Sequence, residues 1–116
     1  MRVDQSEKHG VKIFSIRGIL AQTDSKIAKD LISPFVDDLD VKTIIINFED
    51  VPFMDSSGLG VLVSFYNIMK ENQRTFILCG LGGNLMEIMK TTCLDSIFTI
   101  YETEADALKA IQTDQT

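Results

Sequence analysis

Apolar residues recur along this chain with two periods, one near 3.6 and one near 2, and the changes between them outline the elements. Two extended segments, residues 3–7 and Val11–Arg17, flank Lys8-His9-Gly10, where glycine reaches a positive φ at low cost, so the pattern predicts a hairpin. Asp24 or Ser25 then offers an N-cap for a helix carrying Ile27, Ala28, Leu31, Ile32, Phe35, Val36 and Leu39 at helical spacing. Pro34 lacks an N–H and crowds the preceding turn, which predicts a kink or a restart there. Residues 43–48, Thr-Ile-Ile-Ile-Asn-Phe, are β-branched and nearly continuous in apolar character, as in a strand covered on both faces at the centre of a sheet. A helix follows from Ser56 or Ser57 to Asn72, then a strand over Thr75–Cys79, a glycine-rich turn and a helix over 84–92. A strand over 98–101 and a helix over 104–111, capped by Thr103, complete the series. Strands alternating with helices after a hairpin define an α/β domain with a mixed sheet and helices packed on it.

Length and composition narrow the function classes. The 116 residues match one domain, expected to span 1–116 with an ordered core over about 3–111 and a frayed end at 112–116. A net charge of −6, with the eleven Lys and Arg residues scattered, argues against direct nucleic-acid binding. No apolar run approaches the roughly 20 residues needed to span a bilayer, so no membrane insertion is expected. The N-terminus lacks a secretory pattern, and Cys79 and Cys93, far apart, read as small buried hydrophobes in a reducing cytoplasm.

The informative stretch is Val51-Pro52-Phe53-Met54-Asp55-Ser56-Ser57-Gly58-Leu59-Gly60-Val61-Leu62, which leaves a buried strand and opens a helix. First-turn N–H groups lack intrahelical acceptors, and the helix dipole adds partial positive charge, so an added phosphate is tolerated at that junction. A phosphate adds roughly −1.5 to −2 charge, enough to disrupt a close protein contact by repulsion and desolvation. Gly58 and Gly60 each cost about 1 kcal/mol of helix propensity, which close approach by another backbone or packing on the sheet must offset. On the helix, Val61, Leu62, Phe65, Ile68 and Met69 share the face expected to meet the sheet, while Leu59, Val63 and Tyr66 form an adjacent stripe beginning beside Ser57. That stripe is either partner-binding surface or the flank of the core.

The segment Asp55 to Leu62, preceded by Asn47-Phe48-Glu49-Asp50-Val51 and Phe53-Met54, resembles the signature of the STAS-domain anti-sigma factor antagonists. Further points of resemblance are Gly18-Ile19-Leu20, Cys79-Gly80-Leu81, Phe98-Thr99-Ile100-Tyr101 and Ala105-Asp106-Ala107-Leu108, so that it covers about 11–111. What the resemblance implies is a single STAS-type domain in a partner-switching cycle. The unmodified protein binds an anti-sigma factor that is also a serine kinase. Phosphorylation of the second serine of the motif, Ser57 here, releases it, and a metal-dependent serine phosphatase restores it. By the same match Asp55, Ser56 and Gly58 form the switch loop, with Ser56 at or beside the N-cap. Family members often carry an acidic residue directly after the Gly-x-Leu, where this chain has Ala21. A second reading keeps the fold as a constitutive adaptor or scaffold in a signalling or transporter complex.

Enzyme readings find little support. Gly80-Leu81-Gly82-Gly83-Asn84-Leu85 follows a strand and opens a helix, but Leu85 fills the third glycine position of a dinucleotide fingerprint. A serine hydrolase needs a base, and the single histidine, His9, belongs to the hairpin turn. One His and two distant Cys supply no recognisable metal-ligand set, and no cofactor is expected.

Overall fold

The computed structural model describes residues 1–114. Its elements are β1 (Arg2–Lys8), β2 (Val11–Arg17), α1 (Gln22–Val36), β3 (Thr43–Asp50), α2 (Ser56–Glu71), β4 (Thr75–Cys79), α3 (Gly83–Thr91), β5 (Thr99–Tyr101) and α4 (Glu104–Asp114), with a short 3-10 turn at Leu94–Ser96. The strands lie in the order β1-β2-β3-β4-β5. Only the β1–β2 pair is antiparallel, joined through His9 and Gly10, both in the left-handed region with φ of 54° and 79°. That is the backbone a tight two-residue hairpin requires.

The sheet is covered on both faces, which explains the unbroken apolar run in β3. Phe14, Ile16, Ile44, Ile46, Phe76 and Leu78 meet the helices α1, α2 and α3 on one face. Val11, Ile13, Ile45, Ile77 and Cys79 meet Ala107 and Ile111 of α4 on the other. Successive residues of a strand point to opposite faces, so a strand buried on both sides has no polar alternation. The strand expected at the centre is the central one.

α1 differs most from its sequence pattern. It begins at Gln22 rather than at Asp24 or Ser25, and Ala21, its N-cap, makes no side-chain cap bond. Pro34 lies within the helix, which does not restart there. The buried stripe is Ser25, Ala28, Ile32 and Val36, whereas Ile27 and Leu31 are half exposed. The helix stops before Leu39, which is exposed. The buried Arg74 side chain, from the turn after α2, donates to the carbonyls of Val36, Asp38 and Val41 and ties down that end. At the other terminus α4 continues to Asp114, past the expected fraying point, and residues 115 and 116 lie outside the described residues.

Candidate functional site

The β3–α2 loop is stitched to the connection between β2 and α1. Leu20 pairs with Met54 in an isolated parallel bridge. The Leu20 amide donates to the Phe53 carbonyl at 3.1 Å, and the Asp55 amide donates to the Leu20 carbonyl at 3.2 Å. Gly18 adds a bond from its amide to the Asp50 carbonyl at 3.0 Å. These contacts bring the start of α1 against the start of α2.

Asp55 caps α2. Its Oδ1 accepts from the amides of Ser57 at 2.9 Å and Gly58 at 3.2 Å, satisfying two of the amides that a helix start leaves without partners. The N-cap is therefore Asp55, and Ser56 is its exposed neighbour in the first turn. The same oxygen accepts from the Ser57 hydroxyl at 2.5 Å. That hydroxyl bond, followed in opposition by desolvation and then by bonds from the backbone amides, holds the Asp55 carboxyl below its ordinary range.

Ser57 is exposed as a residue, yet its hydroxyl sits in a defined network. The Gln22 amide donates to Ser57 Oγ at 3.0 Å and to Asp55 Oδ2 at 3.2 Å. Gln22 has φ of 52°, a left-handed conformation uncommon outside glycine, and that backbone aims its N–H across at α2. Ser25 Oγ lies 2.8 Å from Ser57 Oγ, and Ser25 is almost wholly buried. With Ala21 unable to cap α1, part of that service to the Gln22 amide comes from Asp55 and Ser57, 33 and 35 residues beyond Gln22 in sequence.

The two glycines of the motif separate in role. A Cβ on Gly58 would lie 2.6 Å from the Leu20 carbonyl oxygen and 3.1 Å from Leu20 Cγ, so close backbone approach accounts for it. Around Gly60 a Cβ would meet nothing within 4 Å, and among the described residues no contact accounts for that glycine.

The buried side of α2 is set by Gly58, Leu62, Phe65 and Met69, with Val61 and Ile68 half buried. Leu59, Val63 and Tyr66 are half buried and pack on the edge of the core. Tyr66 meets Phe98 edge to face at 5.5 Å, and Lys70 lies over the Tyr66 ring. Val63 and Tyr66 also border a shallow hollow with Leu94 and the half-exposed Ile97.

The structure thus brings Asp55, Ser57 and Gly58 together with two residues that sequence reasoning missed, Gln22 and Ser25. The spacing of Ser25 with Ala28, Ile32 and Val36 is the signal that marks a polar side chain on the buried stripe. Cys79 is buried as expected, and burial, reinforced by the charges of Glu104 and Glu49, pushes its thiol up to about 12. Cys93 is exposed, contrary to the reading of both cysteines as core residues: it lies at a left-handed turn after α3 (φ 62°), which points it away from the packed layers. Gly80 is required where it stands, with φ of 74° and a would-be Cβ 2.7 Å from Asn47 Oδ1. The cleft beside this loop is lined by Glu49 and Asp50 as well as Gly82 and Asn84, and two carboxylates oppose a bound phosphate. Among the described residues no group of three or more His, Cys, Asp or Glu side chains is placed to hold a metal ion, and no helix is long and apolar enough to cross a membrane.

Fold and motif together define a small α/β module, and comparison with known proteins gives the family: residues 2–107 match the STAS domain model, and the chain belongs to that family. It is similar to the anti-sigma F factor antagonist of Paenibacillus polymyxa, at 22% identity over 112 residues that cover 97% of this chain and 96% of that one. Among solved structures, an anti-sigma factor antagonist from Mycobacterium paratuberculosis superposes with a TM-score of 0.85 at 24% identity, covering 96% of this chain and 93% of that one. The phosphorylated form of the Bacillus cell fate determinant SpoIIAA does so with a TM-score of 0.75 at 22% identity, covering 95% and 99%. The same fold recurs in the murine anion transporter Slc26a9, with a TM-score of 0.76 at 19% identity over 93% of this chain and 18% of that one.

Proposed function

We propose that this chain is an anti-sigma factor antagonist switched by phosphorylation of Ser57. Unmodified, it binds an anti-sigma factor with serine kinase activity in the cytoplasm; phosphorylated, it releases that partner, and a metal-dependent serine phosphatase resets it. It is a substrate of enzymes rather than an enzyme. The observation that carries the reading is the 2.5 Å bond from the Ser57 hydroxyl to Asp55 at an exposed helix start. Esterification removes the proton that makes this bond and sets a phosphate of roughly −1.5 to −2 charge beside a carboxylate, so the loop cannot keep its unmodified arrangement. Likeness to antagonists over nearly the whole chain supports the same reading.

Asp55, Ser56 and Gly58 frame the switch, and the stripe of Leu59, Val63 and Tyr66 contributes to docking. All three keep part of their surface accessible and lie at successive turns C-terminal to Ser57. Pull-down of the serine-kinase anti-sigma factor tests both parts. Ser57→Ala should retain the partner, Ser57→Asp should lose it, and Val63→Asp should weaken it while leaving the fold intact. Equal capture by Ser57→Asp and the unmodified chain would instead mark a constitutive adaptor, and an unchanged Val63→Asp would remove the stripe from the interface.

A further inference from the structure

The hydrogen-bonding capacity of Ser57 Oγ is fully used. A serine hydroxyl has one proton and two lone pairs. Asp55 is an ionised, acceptor-only carboxylate at neutral pH, so the Ser57 proton goes to its Oδ1 at 2.5 Å. One lone pair accepts from the Gln22 amide at 3.0 Å. Because the Ser57 proton is committed, the 2.8 Å contact between the two serine hydroxyls has Ser25 as donor and Ser57 as acceptor. Ser25 is 2% exposed, so bulk water does not compete for the contact, and no partner docked on the surface can touch it.

On this basis, and resting on the reading of Ser57 as the phosphate acceptor, we infer that Ser25 is a positioning residue that restrains the Ser57 hydroxyl and slows its phosphorylation. Attack on the terminal phosphorus of ATP uses a lone pair of Oγ: the new O–P bond forms as the bond to the ADP oxygen breaks, and the serine proton leaves to a base. In the resting network both lone pairs are engaged. Whichever contact is given up, and whether or not the side chain swings outward, a chain without the Ser25 hydroxyl has one fewer bond to break. The brake is built by α1, the element that the missing side-chain cap at Ala21 leaves to be completed by Asp55 and Ser57.

The test is single-turnover phosphate transfer from ATP by the serine-kinase anti-sigma factor, comparing the unmodified chain with Ser25→Ala over a range of kinase concentrations. Ser25→Ala should be phosphorylated about fivefold faster at saturating kinase, the worth of one neutral hydrogen bond, with unchanged half-saturation. A merely structural role would shift the half-saturation or leave both parameters alone, and an unchanged or slower saturating rate overturns the inference. Ser57→Ala separates the two levels: if the unmodified chain takes phosphate at another residue, or takes none, the switch reading fails and this inference with it. A measurement without kinase stands beside it. In the isolated protein the buried Ser25 hydroxyl proton, donated to Ser57 Oγ, should exchange slowly enough for NMR observation at low temperature, its resonance assigned by its absence from Ser25→Ala. Fast exchange in the unmodified chain contradicts the restraint.

Discussion

Replacing Gly58 by alanine tests the joint between the two connections that builds the site. In a helix interior the exchange alone stabilises by about 1 kcal/mol, because glycine loses more backbone freedom on folding. Here the new Cβ would lie 2.6 Å from the Leu20 carbonyl oxygen, 3.1 Å from its Cγ and 3.3 Å from its Cδ2. The oxygen is the obstacle, since it accepts from the Asp55 amide and the residue behind it pairs with Met54, so its retreat weakens both. Overpacking costs about 1–3 kcal/mol, and a hydrogen bond lost in the retreat costs about 1 kcal/mol more. Set against the propensity gain, the net destabilisation is about 2 kcal/mol. Gly60→Ala is the control: with open space around it, only the propensity gain of about 1 kcal/mol remains. The two variants should therefore differ by about 3 kcal/mol, read as opposite shifts of the urea midpoint at a constant slope. If Gly58→Ala were as stable as Gly60→Ala, the contact between Leu20 and α2 would not be the constraint described.

Two further outcomes follow from the charges and thiols. The folded carboxyl of Asp55 titrates below its unfolded value of about 3.9, chiefly because the Ser57 hydroxyl donates to it. A depressed value contributes stability that is complete above the unfolded value and is lost as pH falls through the folded one. Ser57→Ala should raise the NMR-determined titration point of Asp55 towards the ordinary value and flatten that acid-side loss, and an unmoved titration point would contradict the assignment. A thiol reagent at pH 8 should label the exposed Cys93 quickly and leave Cys79 unmodified until the chain unfolds, because burial pushes the Cys79 thiol up to about 12. Equal labelling rates would refute the burial.

Much of this architecture is legible in the sequence because it is local. The β-branched run of β3, the left-handed His9-Gly10 pair and the Asp55-to-Gly58 helix start are each written in adjacent residues. What stayed illegible depends on distant partners. The start of α1 is fixed by Asp55 and Ser57, and its end by Arg74, neither of which a local cap search examines. Of the apolar residues at helical spacing in α1, Ala28, Ile32 and Val36 are buried while Ile27 and Leu31 stay half exposed, and the polar Ser25 completes the buried stripe, a division that hydrophobicity alone does not make. Ser25, which the local pattern offers as a cap, instead sets its hydroxyl against that of Ser57.

If one phosphate on Ser57 decides whether a partner can dock, calorimetric titration of the serine-kinase anti-sigma factor should separate the unmodified chain from protein phosphorylated only at Ser57. Burying an unpaired charge in an interface costs about 2 kcal/mol or more, so the phosphorylated chain should bind about thirtyfold more weakly or worse. Equal affinity of the two forms would contradict it.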